Sequence, residues 1–141
     1  MPKATLALVT GCFDLLHYGH LKFLTFAKSK ADILVVALES DEFLKKHKGA
    51  LRPLFTQKIR HFCLSKIKDV DKIIDLSNDV NYLKLLQKLK PNCLVISSND
   101  QYYSQKKLIC QKLNIDLIIF PRLKKYSTSG LLTNTTFQSK K

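Results

Sequence analysis

No C-x-x-C pair, no long apolar run and no glycine-rich phosphate loop occurs in this sequence, and acidic residues are scarce. Each absence removes a class of protein. The four cysteines (Cys12, Cys63, Cys93, Cys110) are widely spaced, which argues against a disulfide framework and a zinc knuckle and suits a reducing compartment. Three of them lie in apolar stretches and read as small buried hydrophobes. The longest apolar segments, Ala31 to Leu38 and Ile115 to Phe120, are far too short to span a bilayer. The lack of H-E-x-x-H, G-x-G-x-x-G and a Walker A lysine loop argues against a zincin, a dinucleotide oxidoreductase and a P-loop ATPase. No repeat, low-complexity segment or linker interrupts the chain. Met1-Pro-Lys leads straight into a strand-like segment, so no secretory signal is expected and the cytoplasm is the expected location.

What the sequence has in excess is positive charge. Lys and Arg number 24 against 11 Asp and Glu, a net charge of +13. Such a balance fits attraction to polyanions or phosphorylated substrates. The lysines are scattered over every helical segment rather than gathered in one arm, which fits solvated helix faces. No specific nucleic-acid partner is therefore expected.

At 141 residues with 45% hydrophobic content, the chain suits one globular domain. Residues 1–132 are expected to form it, and 133–141 to be a polar, flexible tail. Short apolar runs alternate with helical-period segments. Ala4 to Val9 reads as a first strand, Ile33 to Leu38 as a strand buried on both faces, and Lys72 to Leu76, Cys93 to Ile96 and Ile115 to Phe120 as three more. Helices are expected over Tyr18 to Lys30, from a cap at Ser40, and over Thr56 to Lys68, Val80 to Lys90 and Ser104 to Leu113. In the third helix Ile59, Phe62, Cys63 and Ile67 form the stripe expected to face inward. This alternation predicts an α/β domain, a doubly wound five-stranded parallel sheet with helices on both faces. Ligands bind outside the carboxyl ends of such strands. The polar clusters Thr10 to His20, Ser97 to Asp100 and Arg122 to Ser129 should therefore converge.

His17-Tyr-Gly-His20 stands where the first strand hands over to its helix. Two histidines three apart share one helix face, Gly19 between them leaves room for a ligand, and the helix terminus supplies amide donors and a positive dipole end. Packing, a zinc pair and phosphate binding are all compatible with H-x-x-H alone, and no third metal ligand stands at a suggestive spacing.

Gly11-Cys-Phe-Asp-Leu-Leu-His-Tyr-Gly-His20 resembles the G-x-F-D-x-x-H-x-G-H signature of the cytidylyltransferase-like nucleotidyltransferases, and the resemblance extends over nearly the whole chain. Ser40-Asp41-Glu42 is similar to the family's S/T-D-E, and Lys48-Gly49 with Arg52-Pro53 to its K-G-x-x-R-P. Arg60 matches the arginine opening the next helix, and Arg122 with Ser127-Thr128-Ser129 resembles the R-T-x-x-I-S-T region. The resemblance implies a Rossmann-like fold, His17, His20 and Lys48 as catalytic groups, and Thr10, Gly11, Phe13, Gly19, Asp100, Arg122, Ser127, Thr128 and Ser129 at the nucleotide. It places Asp14, Arg52 and Arg60 at the acceptor, with a magnesium ion on the triphosphate and no dedicated protein metal site. It also implies a homodimer. Charge stabilisation fits such a reaction, because an ionised phosphate needs cations and donors more than a general base.

Two departures bear on specificity. Ser97-Ser98-Asn99-Asp100 replaces the family's G-G-D, with only Asp100 matching, and Arg122-Leu-Lys-Lys-Tyr-Ser-Thr lacks the first threonine and the acid of R-T-E-G-I-S-T. The leading expectation is transfer of CMP from CTP to a small phosphorylated alcohol, with release of pyrophosphate. The K-G-x-x-R-P element, similar to that of heptose-phosphate adenylyltransferases, keeps open ATP with a sugar phosphate or FMN. A catalytically weak nucleotide-binding relative is the third reading.

Overall fold

Strand pairing is strongest where the sequence is apolar at every position. Ile33–Leu38 (β2) lies parallel to Leu6–Gly11 (β1), with Leu6 beside Ile33 and Gly11 beside Leu38. The computed structural model describes residues 2–121. It adds Lys72–Asp75 (β3), Cys93–Ser97 (β4) and Asp116–Phe120 (β5), giving one parallel sheet in the order β3-β2-β1-β4-β5. Its helices are Tyr18–Lys28 (α1), Asp41–Lys48 (α2), Gln57–Ser65 (α3), Tyr82–Leu89 (α4) and Tyr103–Leu113 (α5). The expected α/β architecture is the observed one. Arg122, Ser127, Thr128, Ser129 and the 133–141 tail lie outside the described residues.

The pleat of β1 feeds two cores. Ala7 and Val9 join Leu24, Leu34 and Leu64 on the face covered by α1 and α3, and Leu8 joins Val35, Leu86, Leu94 and Cys110 on the face covered by α4 and α5. Burial on both sides is what allows β2 to be apolar throughout. Thr10, two residues beyond Leu8, faces the α4–α5 side. Each buried leucine contributes about 1.5–3 kcal/mol relative to exposure.

The chain winds outward from β1 to β3, then returns to lay β4 against the other side of β1. That reversal is the topological switch point. The β1–β4 ladder covers only Ala7 beside Cys93 and Leu8 beside Leu94. Beyond those pairs the two strands part, and a crevice opens at their carboxyl ends.

Ser40 caps α2 by accepting the Phe43 N–H at 3.1 Å, and Thr56 caps α3 in the same way through Ile59. The inward stripe expected for α3 is corrected: Ile59, Phe62 and Cys63 are exposed, whereas Arg60 and Leu64 are buried. The physical reason is that Arg60 satisfies its guanidinium on carbonyls beneath the helix. Hydrogen bonds to a charged group contribute about 1.5–3 kcal/mol each and outweigh burial of one more apolar side chain. Cys93 and Cys110 are buried as expected of small hydrophobes. Among the described residues no helix is long and apolar enough to cross a membrane.

Candidate active site

The loop after β1 is shaped by a residue in an unusual conformation. Phe13 has φ of 49°, and its ring is buried, lying 5.3 Å from the His20 ring. Gly11 is what leaves room for that ring, since a Cβ there would stand 2.7 Å from Phe13 Cε2. Gly11→Ala is therefore expected to lower stability by about 1–3 kcal/mol, as overpacking does, and to lower kcat by displacing Phe13 from His20. Urea unfolding and steady-state rates check this. Wild-type values for both would show that the ring is free to move.

His17 caps α1, its Nδ1 accepting the Gly19 N–H at 3.0 Å. An accepting Nδ1 puts the ring proton on Nε2, so His17 presents a donor there. The His17 and His20 rings stack with centroids 3.8 Å apart and planes 24° from parallel. Burial, then the neighbouring His17, lowers the His20 pKa to about 3, with Lys48 adding to the effect and Leu15 and Asp14 opposing it. His20 is thus neutral near pH 7, and its Nδ1 is buried with no hydrogen-bonding partner among the described residues. An anionic oxygen beside this helix amino terminus can accept from the His20 ring only at the nitrogen that carries its one proton.

Lys48 ends α2 with its side chain exposed, and Gly49 turns the chain away at φ of 109°. Lys48 lines one cavity with Gly11 and Cys12, and its charge acts on both His20 and Cys12. The Cys12 thiol is pushed up to about 11 by burial, against Lys48, which keeps it an inert packing group. The segment after Gly49 is tied to the same loop through Asp14. Its carboxylate accepts Arg52 Nε at 2.7 Å and the backbone amides of Leu54 and Phe55 at 2.8 and 2.9 Å. Burial opposes ionisation of Asp14, yet these donors together hold its pKa below the usual value. Arg60 is buried and bonds to Phe55, Cys12 and Glu39 carbonyls and to Asp41. Asp14, Arg52 and Arg60, the residues assigned to the acceptor, thus form a framework that binds loop to loop.

Two cavities open beside this framework. One, of about 270 Å³, is lined by Thr10, Gly11, Cys12, Lys48, Asp100 and Lys106 among others. The second, of about 920 Å³, runs between α2 and the start of α4 and α5, past Lys45, Lys46, Asn78, Asp79 and Gln105. Phe43, His47, Tyr82 and Tyr102 line both. Tyr102 Oη lies 2.9 Å from His47 Nε2 and so links α5 to α2. The structure therefore brings Thr10, Gly11, Lys48 and Asp100 to one cavity.

Sequence reasoning missed two groups there. Glu39 is buried with Oε1 accepting the Tyr82 hydroxyl at 2.6 Å, and burial raises its pKa. Lys106 is buried and donates to Thr10 Oγ1 at 2.9 Å and Asp100 Oδ2 at 2.8 Å. One signal was available. Tyr103, Lys106, Cys110 and Leu113 share the inward face of α5, and a lysine on such a stripe needs a buried partner.

Comparisons with known proteins bear on this site. A profile of the cytidylyltransferase-like family matches residues 8–133. The chain is 38% identical to the bifunctional protein HldE of Helicobacter pylori strain J99 over 122 residues, covering 86% of this chain and 26% of that one. It is 30% identical to HldE of Helicobacter hepaticus, covering 94% of this chain and 27% of the relative. The chain thus spans about a quarter of the length of these curated relatives. Among solved structures, a lipopolysaccharide core biosynthesis protein from Thermoplasma volcanium superposes with a TM-score of 0.73 at 25% identity, over 85% of this chain and 97% of that one. A pantoate-beta-alanine ligase from Francisella tularensis shares the fold, with a TM-score of 0.64 at 20% identity over 84% and 59% of the two chains.

Proposed function

The chain belongs to the cytidylyltransferase-like family and is a nucleotidyltransferase, and from that premise we propose that it transfers AMP from ATP to a sugar phosphate, releasing pyrophosphate. The observation that carries the reading is the crevice where β1 and β4 part, with the stacked His17–His20 pair and Lys48 acting on the same loop. An acceptor phosphate oxygen attacks the α-phosphorus of the nucleotide, the new P–O bond forms, and the bond to pyrophosphate breaks. Each oxygen involved is anionic, so donors and cations held in place supply the catalysis. His17 and His20 donate to the triphosphate, and Lys48 screens the two phosphates that must meet.

ATP and a sugar phosphate are favoured over the CTP expected from Arg122 and Ser127-Thr128-Ser129. The local support is the element Lys48-Gly49 with Arg52-Pro53, which resembles that of heptose-phosphate adenylyltransferases. The likeness to a protein of lipopolysaccharide core biosynthesis fits an activated sugar as product. The larger cavity supports a polyhydroxylated acceptor, since aromatic walls at Phe43, Tyr82 and Tyr102 pack a sugar ring while Asn78, Asp79 and Gln105 offer hydroxyl partners. A cytoplasmic setting fits soluble substrates of this kind.

Magnesium belongs to the proposal as a companion of the nucleotide. No group of three His, Cys, Asp or Glu side chains among the described residues forms a ligand set. Asp14 and Asp100 are bonded within the protein. Phosphate oxygens and water are the fitting ligands for the ion, which neutralises charge on the triphosphate.

A thermal-shift comparison of ATP and CTP with magnesium tests the nucleotide. A ligand at a hundred times its Kd stabilises by about 2.7 kcal/mol, and ATP is expected to give the larger shift. A larger shift with CTP would return the reading to CMP transfer. Pyrophosphate release with sugar phosphates, glycerol 3-phosphate and phosphocholine tests the acceptor, and only the sugar phosphates are expected to turn over. The replacement of glycines by Ser97-Ser98-Asn99 favours one other reading, a nucleotide-binding relative of low activity. Binding without turnover of any pair would establish it.

A further inference from the structure

Beyond Leu8 and Leu94 the β1–β4 ladder stops, and the buried side chain of Lys106 reaches across the gap from α5. Its ammonium donates to Thr10 Oγ1 on β1 and to Asp100 Oδ2 after β4, at 2.9 and 2.8 Å. It also stands 5.2 Å over the ring of Tyr82. Asp100 is itself oriented, its Oδ1 accepting the Tyr102 N–H at 2.8 Å. These partners line the 270 Å³ cavity that Lys48 also lines.

The chemistry of a hydroxyl gives this contact a direction. Threonine has one proton to donate and lone pairs to accept with. A lysine ammonium can only donate, so at Lys106 the Thr10 oxygen must be the acceptor. The hydroxyl proton is then left to point elsewhere, and a cation on its oxygen strengthens the bond that proton makes. Thr10 is the last residue but one of β1, on the side facing α5, at the mouth of the crevice. We propose that Lys106 is a positioning residue, which fixes the Thr10 hydroxyl as a donor to a phosphate oxygen of the bound nucleotide. Asp100 holds Lys106 in place and keeps its charge from standing unpaired. The inference deepens the proposed function and rests on it for the nucleotide, although it concerns phosphate oxygens that any triphosphate would present.

A double-mutant cycle between Thr10→Val and Lys106→Met, read as the Kd of ATP and of inorganic tripolyphosphate, tests the proposal. Each single variant is expected to weaken both ligands about tenfold. The double variant is expected to match the single ones, because either change removes the same donor. Lys106→Arg, which keeps a donating cation, should recover binding to within about threefold. A double variant weakened about a hundredfold, or a Thr10→Val protein that binds as the wild type does, would overturn the proposal. So would failure of Lys106→Arg to recover binding while its thermal midpoint is unchanged. If Lys106→Met does not fold, the cycle is run in an Asp100→Asn background, where no buried carboxylate is left without its partner. Tripolyphosphate keeps the two readings separable. A wild type that binds CTP in preference to ATP, or turns over no sugar phosphate, sinks the proposed function and leaves the cycle on tripolyphosphate to decide Lys106.

Discussion

His20→Ala is expected to lower kcat by about 10²–10³-fold, the usual effect of removing one preorganised donor from a developing anion. The choice of His20 over His17 is physical. His17 also caps α1 through Gly19, and losing a cap alone costs about 1 kcal/mol, so His17→Ala mixes fold with chemistry. His20 caps nothing. If it stabilises charge that grows in the transition state, kcat and kcat/KM for ATP fall together; if it binds ground-state phosphate equally well, only KM rises. Steady-state kinetics over both substrates separates the two. A His20→Ala enzyme within about threefold of wild type would mean that the pair merely packs.

The same residue has a signature in stability. The His20 pKa is lowered to about 3 from 6.5, first by burial and then by His17. The folded state therefore refuses a proton that the unfolded chain accepts. The stability His20 leaves intact is present above pH 6.5 and is lost as pH falls from there toward 3. The groups acting on its ring are His17, Asp14 and Lys48, with the Leu15 backbone, and none of them is removed by the substitution. Wild-type stability should thus fall more steeply over this range than that of His20→Ala, as read by urea midpoints at successive pH values. Parallel acid limbs would show that His20 is not held neutral.

Particular residues show what was legible in the sequence. Ile33 to Leu38 announced a strand because nothing polar interrupts it, and the strand has those bounds. Ser40 announced a helix start because a hydroxyl before a helical run has orphan amides to accept. Gly11, Phe13 and His20 were legible as a motif, yet the positive φ of Phe13 and the contact that Gly11 permits depend on coordinates. The failures share one cause. Stripe reasoning sends charge to solvent, so the inward stripe drawn for α3 left out Arg60, and Lys106 and Glu39 were passed over. Their partners come from distant parts of the chain: Cys12 lies 48 residues from Arg60, and Thr10 lies 96 from Lys106. No local window contains both halves of such a pair.

Arg60→Met is expected to lower stability by about 3–5 kcal/mol, the effect of breaking a buried charged network from one side. The side chain is 0% exposed. Its Nε donates to Phe55 at 3.0 Å, its Nη1 to Cys12 and Glu39 at 2.7 and 2.9 Å, and its Nη2 to Asp41 at 2.7 Å. Methionine has similar bulk but no donor, so three carbonyl oxygens lose a partner at about 1–3 kcal/mol for each one that water cannot reach. Asp41 is the least affected, being 37% exposed and already accepting the Gln57 N–H at 2.8 Å. Domains of this size are stable by only about 5–15 kcal/mol, so the variant should unfold at a much lower urea concentration. A loss below about 1 kcal/mol would mean that the carbonyls find other donors. Activity measured well below the variant's midpoint then decides what the clamp is for. Cys12 belongs to the loop that sets Phe13 and His20, so a clamp that positions it lowers kcat for every acceptor alike. An arginine that touched the acceptor would raise the acceptor KM and leave kcat near its wild-type value. The burial and the carbonyl partners of Arg60 favour the first result.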